Sequence, residues 1–172
     1  GTHIVKDIYP SANSGSYPEN LTAAGNKLFF FASDSIHGNE LWVSDGTEQG
    51  THLVKDIIPG TNGLSIDICL AYHDKFYFNG EEDWDLGKFY QSDGTEAGTK
   101  LCQPTGTTSI NPAAIENFHA GTALNSIFMT ALFSGGDRKL WRYEDGQSAM
   151  DDINRSEHPI SIYPNPTSND IE

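Results

Sequence analysis

Short apolar runs separated by clusters of Gly, Asn, Asp, Ser and Pro dominate the chain, and no stretch sustains the 3.6-residue period of an amphipathic helix. The runs Leu28-Phe-Phe-Phe-Ala32, Phe76-Tyr-Phe78 and Ile127-Phe-Met129 are apolar without alternation. That pattern belongs to a strand covered on both faces. Around the first run, four extended segments are predicted: Asn20–Ala24, Lys27–Ala32, Glu40–Ser44 and His52–Ile57. Aromatic and β-branched residues fill them, so the fold class is all-β with helix nearly absent.

The same pattern repeats. Gly1-Thr-His-Ile-Val-Lys-Asp-Ile-Tyr-Pro10 returns as Gly50-Thr-His-Leu-Val-Lys-Asp-Ile-Ile-Pro59, identical at eight of ten positions. Ser44-Asp-Gly-Thr-Glu-Gln-Gly-Thr51 returns as Ser92-Asp-Gly-Thr-Glu-Ala-Gly-Thr99, a shift of 48 residues. A weaker third copy ends in Leu140-Trp-Arg-Tyr-Glu-Asp-Gly146, and Phe30 to Trp42, Phe78 to Tyr90 and Met129 to Trp141 each span 12 residues. The third copy lies 51 residues beyond the second, with the extra length assigned to the Pro104 to Asn117 connection. Four short strands in a unit of this size match a propeller blade. The expected architecture is a set of tandem four-stranded antiparallel sheets forming a partial β-propeller of about three blades. The copies fall at approximately 1–57, 58–104 and 105–150, with a linker at 151–159.

Charge narrows the partners. Acidic residues number 24 against 10 basic, a formal net charge of −14, which disfavours nucleic acid or an anionic membrane surface as partner. A solvated acidic exterior or a cation-binding surface is compatible with it. No apolar run reaches the length of a membrane helix, and the first residues carry no export signal, which is expected upstream of Gly1. Cys69 and Cys102 are too few for a disulfide framework or a structural zinc site; they read as two small buried residues or as one cross-strand pair.

Glu40-Leu-Trp-Val-Ser-Asp-Gly-Thr-Glu-Gln-Gly-Thr51, followed by Leu-Val-Lys-Asp-Ile57 and Pro59-Gly60, resembles the bacterial Glu-Leu-Trp-x-Ser/Thr-Asp-Gly-Thr repeat family, often described as hyalin-like. The resemblance covers residues 1 to 147, departs at Lys88-Phe-Tyr-Gln91 and loses the Ser-Asp-Gly-Thr turn in the third copy. It implies a propeller-type array in a large secreted or cell-surface protein. Ile160-Ser-Ile-Tyr-Pro-Asn-Pro-Thr167 resembles the opening of the C-terminal sorting domain of the type IX secretion system of Bacteroidetes. That resemblance implies a truncated sorting domain at 160–172, export through the secretion machinery by the complete domain, and an extracellular or outer-membrane surface location. An array entered midway through a copy, with about three blades, cannot close a ring. Exposed sheet ends, association with another copy, or a small non-propeller arrangement of the same sheets are the expected consequences.

Candidate chemistry is sparse. No nucleophile elbow, zincin helix, phosphate loop or dinucleotide fingerprint occurs. His3 and His52 are equivalent positions of two copies, and His37, His73, His119 and His158 lack metal-ligand spacing. The recurring turn assigns structural roles to Asp45, Gly46, Asp93 and Gly94: the aspartates accept from nearby backbone N–H groups and the glycines take positive φ. The distinctive departure is Glu81-Glu82-Asp83-Trp84-Asp85, between the second and third strands of its blade. Its carboxylates offer hard oxygen ligands for Ca2+ and Trp84 offers a face for a sugar ring; a solvated acidic turn is the competing reading. Asp34-Ser35-Ile36 resembles the three-residue O-glycosylation motif of Bacteroidetes secreted proteins, with Ser35 as acceptor, and reads equally as an ordinary turn. The leading expectation is a non-catalytic extracellular binding or adhesion module that recognises surface polysaccharide or protein. A structural spacer without a specific ligand comes second, and a secreted carbohydrate-active hydrolase third.

Overall fold

The computed structural model describes residues 1–81, 87–102, 113–121, 125–132 and 139–144. Its described part is all-β and antiparallel, and the strands fall where the apolar runs place them. The first sheet has β1 (Glu19–Ala24), β2 (Lys27–Asp34), β3 (Gly38–Ser44) and β4 (His52–Lys55), in that spatial order. The second repeats it as β5 (Ser65–Tyr72), β6 (Lys75–Glu81), β7 (Lys88–Ser92) and β8 (Lys100–Leu101). The third orders β9 (Ala113–Gly121), β10 (Ser126–Leu132) and β11 (Lys139–Tyr143) in the same sense. Among the described residues these sheets form no closed ring. The linker at 151–159 and the sorting segment at 160–172 lie outside the described residues.

The 12-residue aromatic spacing has a direct geometric cause. Phe30 stands opposite Trp42 in the β2–β3 ladder, Phe78 opposite Tyr90 in β6–β7, and Met129 opposite Trp141 in β10–β11. A fixed spacing across a hairpin fixes which residues face each other, so the hairpin register is carried from copy to copy.

Successive residues of the central strands are buried on opposite faces, which is why the runs show no alternation. Phe29, Phe31, Leu41 and Val43 leave one face of the first sheet and meet Leu64, Phe76, Phe78 and Tyr90 of the second copy in one core. Phe29 stacks on Phe76 with centroids 5.1 Å apart, and the Phe31 ring stands edge-on to Phe78 at 5.3 Å. From the opposite face of the second sheet, Tyr77 and Phe89 meet Ile127, Met129 and Tyr143 of the third. Phe30, Ala32 and Trp42, on the outer face of the first sheet, are covered by Ile8 from the leading segment. Each fully buried ring of this kind contributes about 1.5–3 kcal/mol by leaving water. One sheet alone would leave half of those rings wet.

The stacking therefore has a direction. Positions 28 and 30 of the first copy correspond to 76 and 78 of the second and to 127 and 129 of the third; these always face the preceding unit. Positions 29 and 41 correspond to 77 and 89, and these always face the following one.

Each strand of the first sheet differs from expectation at one end; β1 begins one residue early, at Glu19, and β3 two residues early, at Gly38. β4 ends at Lys55 rather than Ile57, because the Ile57 and Ile58 N–H groups leave the ladder and donate to the carboxylate of Glu40, at 3.1 and 2.8 Å. β2 extends to Asp34, since Asp34 Oδ1 accepts from the N–H groups of Ile36 and His37 at 2.8 and 2.6 Å and tightens the predicted loop into a hairpin turn.

Candidate functional site

The antiparallel order puts two kinds of connection at opposite ends of every sheet. The β1–β2 and β3–β4 connections share one end, and the β2–β3 connection occupies the other. Neighbouring copies keep their ends aligned: the turn at Gly25 lies against Asp74 in the equivalent turn of the second copy, and Lys27 Nζ donates to the Asp93 carbonyl at 2.8 Å.

At the first end the Ser-Asp-Gly-Thr-Glu-x-Gly-Thr turn is built twice with one set of bonds. Asp45 Oδ1 accepts from the Thr47 N–H and hydroxyl at 2.9 and 2.7 Å, and Asp93 does so from Thr95 at 2.9 and 2.6 Å. The Thr47 hydroxyl in turn accepts from Gly50 N–H, as Thr95 does from Gly98. Thr51 Oγ1 donates to the Thr47 carbonyl, so its one proton is committed and Ser44 donates to it at 2.7 Å, while Ser44 Oγ accepts from Gly46 N–H. Gly46 and Gly94 have φ of 91° and 86°, as the turn demands. A Cβ on Gly50 or Gly98 would overlap the Asp45 or Asp93 carboxylate, which explains the second glycine of the motif. Hydrogen bonds from Thr47 hold the Asp45 carboxyl below its ordinary value. At Asp93 partial burial pushes upward, but the Thr95 bonds and Lys27 leave it lowered. Each hydroxyl of this turn is bonded within the turn itself, which assigns the motif to architecture.

Lysines rivet one copy to the next. Lys55 Nζ donates to the Thr99 carbonyl at 3.0 Å, and its equivalent Lys6 donates to the Thr51 carbonyl at 2.7 Å. The recurring Val-Lys-Asp-Ile sequence thus serves contacts between copies.

The other end carries what differs between copies. In the first copy Ser35 is exposed at the tip of the β2–β3 turn beside Ile36, and Asp34 Oδ2 pairs with His37 Nδ1 at 2.8 Å. Burial acts against the Asp34 charge, yet the His37 bonds lower its pKa overall, and the Asp34 bond raises that of His37. Glu40, fully buried below this turn, is pushed by desolvation up to about 7, against the pull of its two amide bonds. In the second copy Glu81 ends β6 and is exposed, while Glu82, Asp83, Trp84 and Asp85 lie outside the described residues. Among the described residues no three His, Cys, Asp or Glu side chains are grouped to hold a metal ion.

Sequence patterns did not signal Glu40 as a buried carboxylate, although its place at the head of Glu-Leu-Trp and its replacement by Lys88 and Lys139 mark it as copy-specific. His3 and His52 are both exposed. The cysteines are free and do not pair: Cys69 packs on the core between the first and second sheets and Cys102 belongs to the core between the second and third. The second sheet itself separates them.

Comparison with protein-family models, curated proteins and solved structures returns no match.

Proposed function

We propose that the chain is a non-catalytic extracellular binding or adhesion module whose stacked sheets are successive blades of a propeller-type array. One observation carries this reading: identical turns close one end of the first two sheets, while the β2–β3 and β6–β7 connections, unlike in sequence, leave from the other. A rigid scaffold presenting dissimilar loops at one edge is the arrangement on which binding surfaces are built. Glu81 through Asp85 is the segment assigned to the ligand, with Ca2+ and a polysaccharide as the chemistries that carboxylates and Trp84 recognise. The resemblance of Ile160 to Thr167 to a sorting domain supports delivery to the cell surface or medium by a type IX system, and Ser35, exposed at a turn tip, suits an O-glycan acceptor. A spacer role is the second reading, supported by the commitment of the recurring motif to contacts within and between copies. A secreted carbohydrate-active hydrolase is third.

The test is titration of the protein with bacterial and host polysaccharides, with and without Ca2+, comparing wild type and Trp84→Ala. Saturable binding lost in the variant supports the module. Absence of binding favours the spacer, and release of reducing sugar the hydrolase.

A further inference from the structure

The chain that leads from β4 to β5, residues 56 to 64, crosses the end of the sheets from which the β2–β3 and β6–β7 connections leave. The first residues of β3 hold it at both of its ends. Just beyond β4, the Ile57 and Ile58 N–H groups donate to the two oxygens of the Glu40 carboxylate at 3.1 and 2.8 Å. Just ahead of β5, Leu64 N–H donates to the Asn39 carbonyl at 2.7 Å, and Asn39 Nδ2 donates to the Leu64 carbonyl at 2.9 Å and to Glu19 Oε1 of β1 at 3.1 Å. Ile57, Ile58 and Leu64 place their side chains in the core that joins the first sheet to the second. The linker is therefore part of the joint between these two copies, and it delivers Ser65 to its place opposite Glu81 in the β5–β6 ladder.

The two grips differ in chemistry. The Asn39 grip is neutral and works at any pH. The Glu40 grip is made by a carboxyl group that has no exposure to water. Its amide bonds favour the ion and burial opposes it; burial wins, and the group is pushed up to about 7. The charges around it do not restore the balance. Asp56, the first residue of the linker, acts against a second negative charge, and its own Oδ1 is buried without a hydrogen-bond partner among the described residues. His37, paired with Asp34 across the β2–β3 turn, favours the ion while it is protonated. That support fades as pH rises past the raised value of His37, in the same direction in which Glu40 ionises. A buried ion beside a second carboxylate, with a fading cation, is relieved by turning out to water, and that movement frees both amides.

We propose that Glu40 is a pH-operated clasp on the linker between the first two copies: neutral, it stays buried against the Ile57 and Ile58 amides, and ionised, it turns out to solvent and releases that half of the linker while Asn39 keeps the other. Lys88 and Lys139 stand at the equivalent positions of the other copies, so the device belongs to this junction. The bistable element is residues 56 to 58, and the charge of one side chain biases it.

Amide hydrogen exchange, read residue by residue by NMR and corrected for the intrinsic pH dependence of exchange, tests this on the full chain. With Glu40 at about 7 when closed and at 4.5 when open, the opening constant rises about tenfold between pH 6 and pH 8.5. The expected result for wild type is a fall of about that size in the protection of Ile57 and Ile58, both of which stay less protected at every pH than Leu64 and the ladder amides of β2 and β3. Glu40→Gln, which keeps the neutral shape, is expected to hold the protection of Ile57 and Ile58 level. His37→Gln removes the other group that titrates near neutrality and is expected to leave the fall in place. Should Glu40→Gln not fold, wild type alone decides, because the carboxyl-carbon shift of Glu40 and the amide shifts of Ile57 and Ile58 must titrate with one midpoint. Level protection of Ile57 and Ile58 in wild type, a fall that Glu40→Gln shares or His37→Gln abolishes, or protection of these two amides equal to that of Leu64 and the strands overturns the proposal.

Discussion

Phe31 and Phe78 are fully buried, belong to different copies, and meet edge to face with centroids 5.3 Å apart. Truncating either to Ala removes a buried ring and leaves a cavity, at a cost of about 3–5 kcal/mol. The ring pair itself accounts for about 0.5–1.5 kcal/mol beyond area burial. The second truncation removes a ring whose partner has already gone, so the double variant should lose roughly 1 kcal/mol less than the sum of the singles. Phe30 supplies the control, since it lies on the opposite face of the same strand in a separate core. Phe30→Ala and Phe78→Ala should add to within about 0.5 kcal/mol. Urea unfolding followed by circular dichroism gives all the required free energies, provided the slopes of the variants agree. Strict additivity for Phe31 with Phe78, or equal coupling for Phe30 with Phe78, would refute packing of the first sheet on the second through these rings.

The recurring turn makes a sharper steric prediction: Gly50→Ala should destabilise by about 2 kcal/mol, and most of that cost should vanish when Asp45→Ala removes the carboxylate the new methyl would meet. Thermal melts of the four proteins in the cycle decide it. Glu40, raised in the folded chain from 4.5 to about 7, binds its proton more tightly folded than unfolded. Its contribution is therefore fully present below pH 4.5 and is lost as pH rises through 7, by no more than about 3 kcal/mol. Glu40→Gln should flatten that part of the stability profile, and an unchanged slope between pH 5 and pH 8 would contradict the assignment. Lys55→Met should cost about 1 kcal/mol through loss of the bond to the Thr99 carbonyl, with a loss of similar size from Lys6→Met at the equivalent contact.

Much of this architecture is legible in the chain because the repeat reports geometry twice. The 48-residue shift carries β2 onto β6 at the first residue of each, and the 12-residue spacing is a ladder register that needs no tertiary information. The turn chemistry is local, so Asp45 and Gly46 could be assigned from neighbours in sequence. The long-range polar contacts between and within copies were not legible. Nothing near Lys6 or Lys55 indicates that each reaches a carbonyl more than 40 residues away, and Glu40 looks like a surface residue until its capture of the Ile57 and Ile58 amides is seen. That capture is also why β4 stops short of its apolar pattern. Of the candidate ligand loop only Glu81 is described, at the exposed end of β6, and its assignment continues to rest on residue chemistry.

The face-to-face order of the sheets is the claim on which every other statement depends, and aromatic nuclear Overhauser spectroscopy reads it most directly. Cross-peaks are expected between the ring protons of Phe29 and Phe76, 5.1 Å apart by centroid, and between those of Phe89 and Tyr143, 5.3 Å apart, in the same sample. A folded spectrum with the hairpin contacts between Phe30 and Trp42 intact but neither of these cross-peaks present would show sheets that do not stack, and would contradict the account.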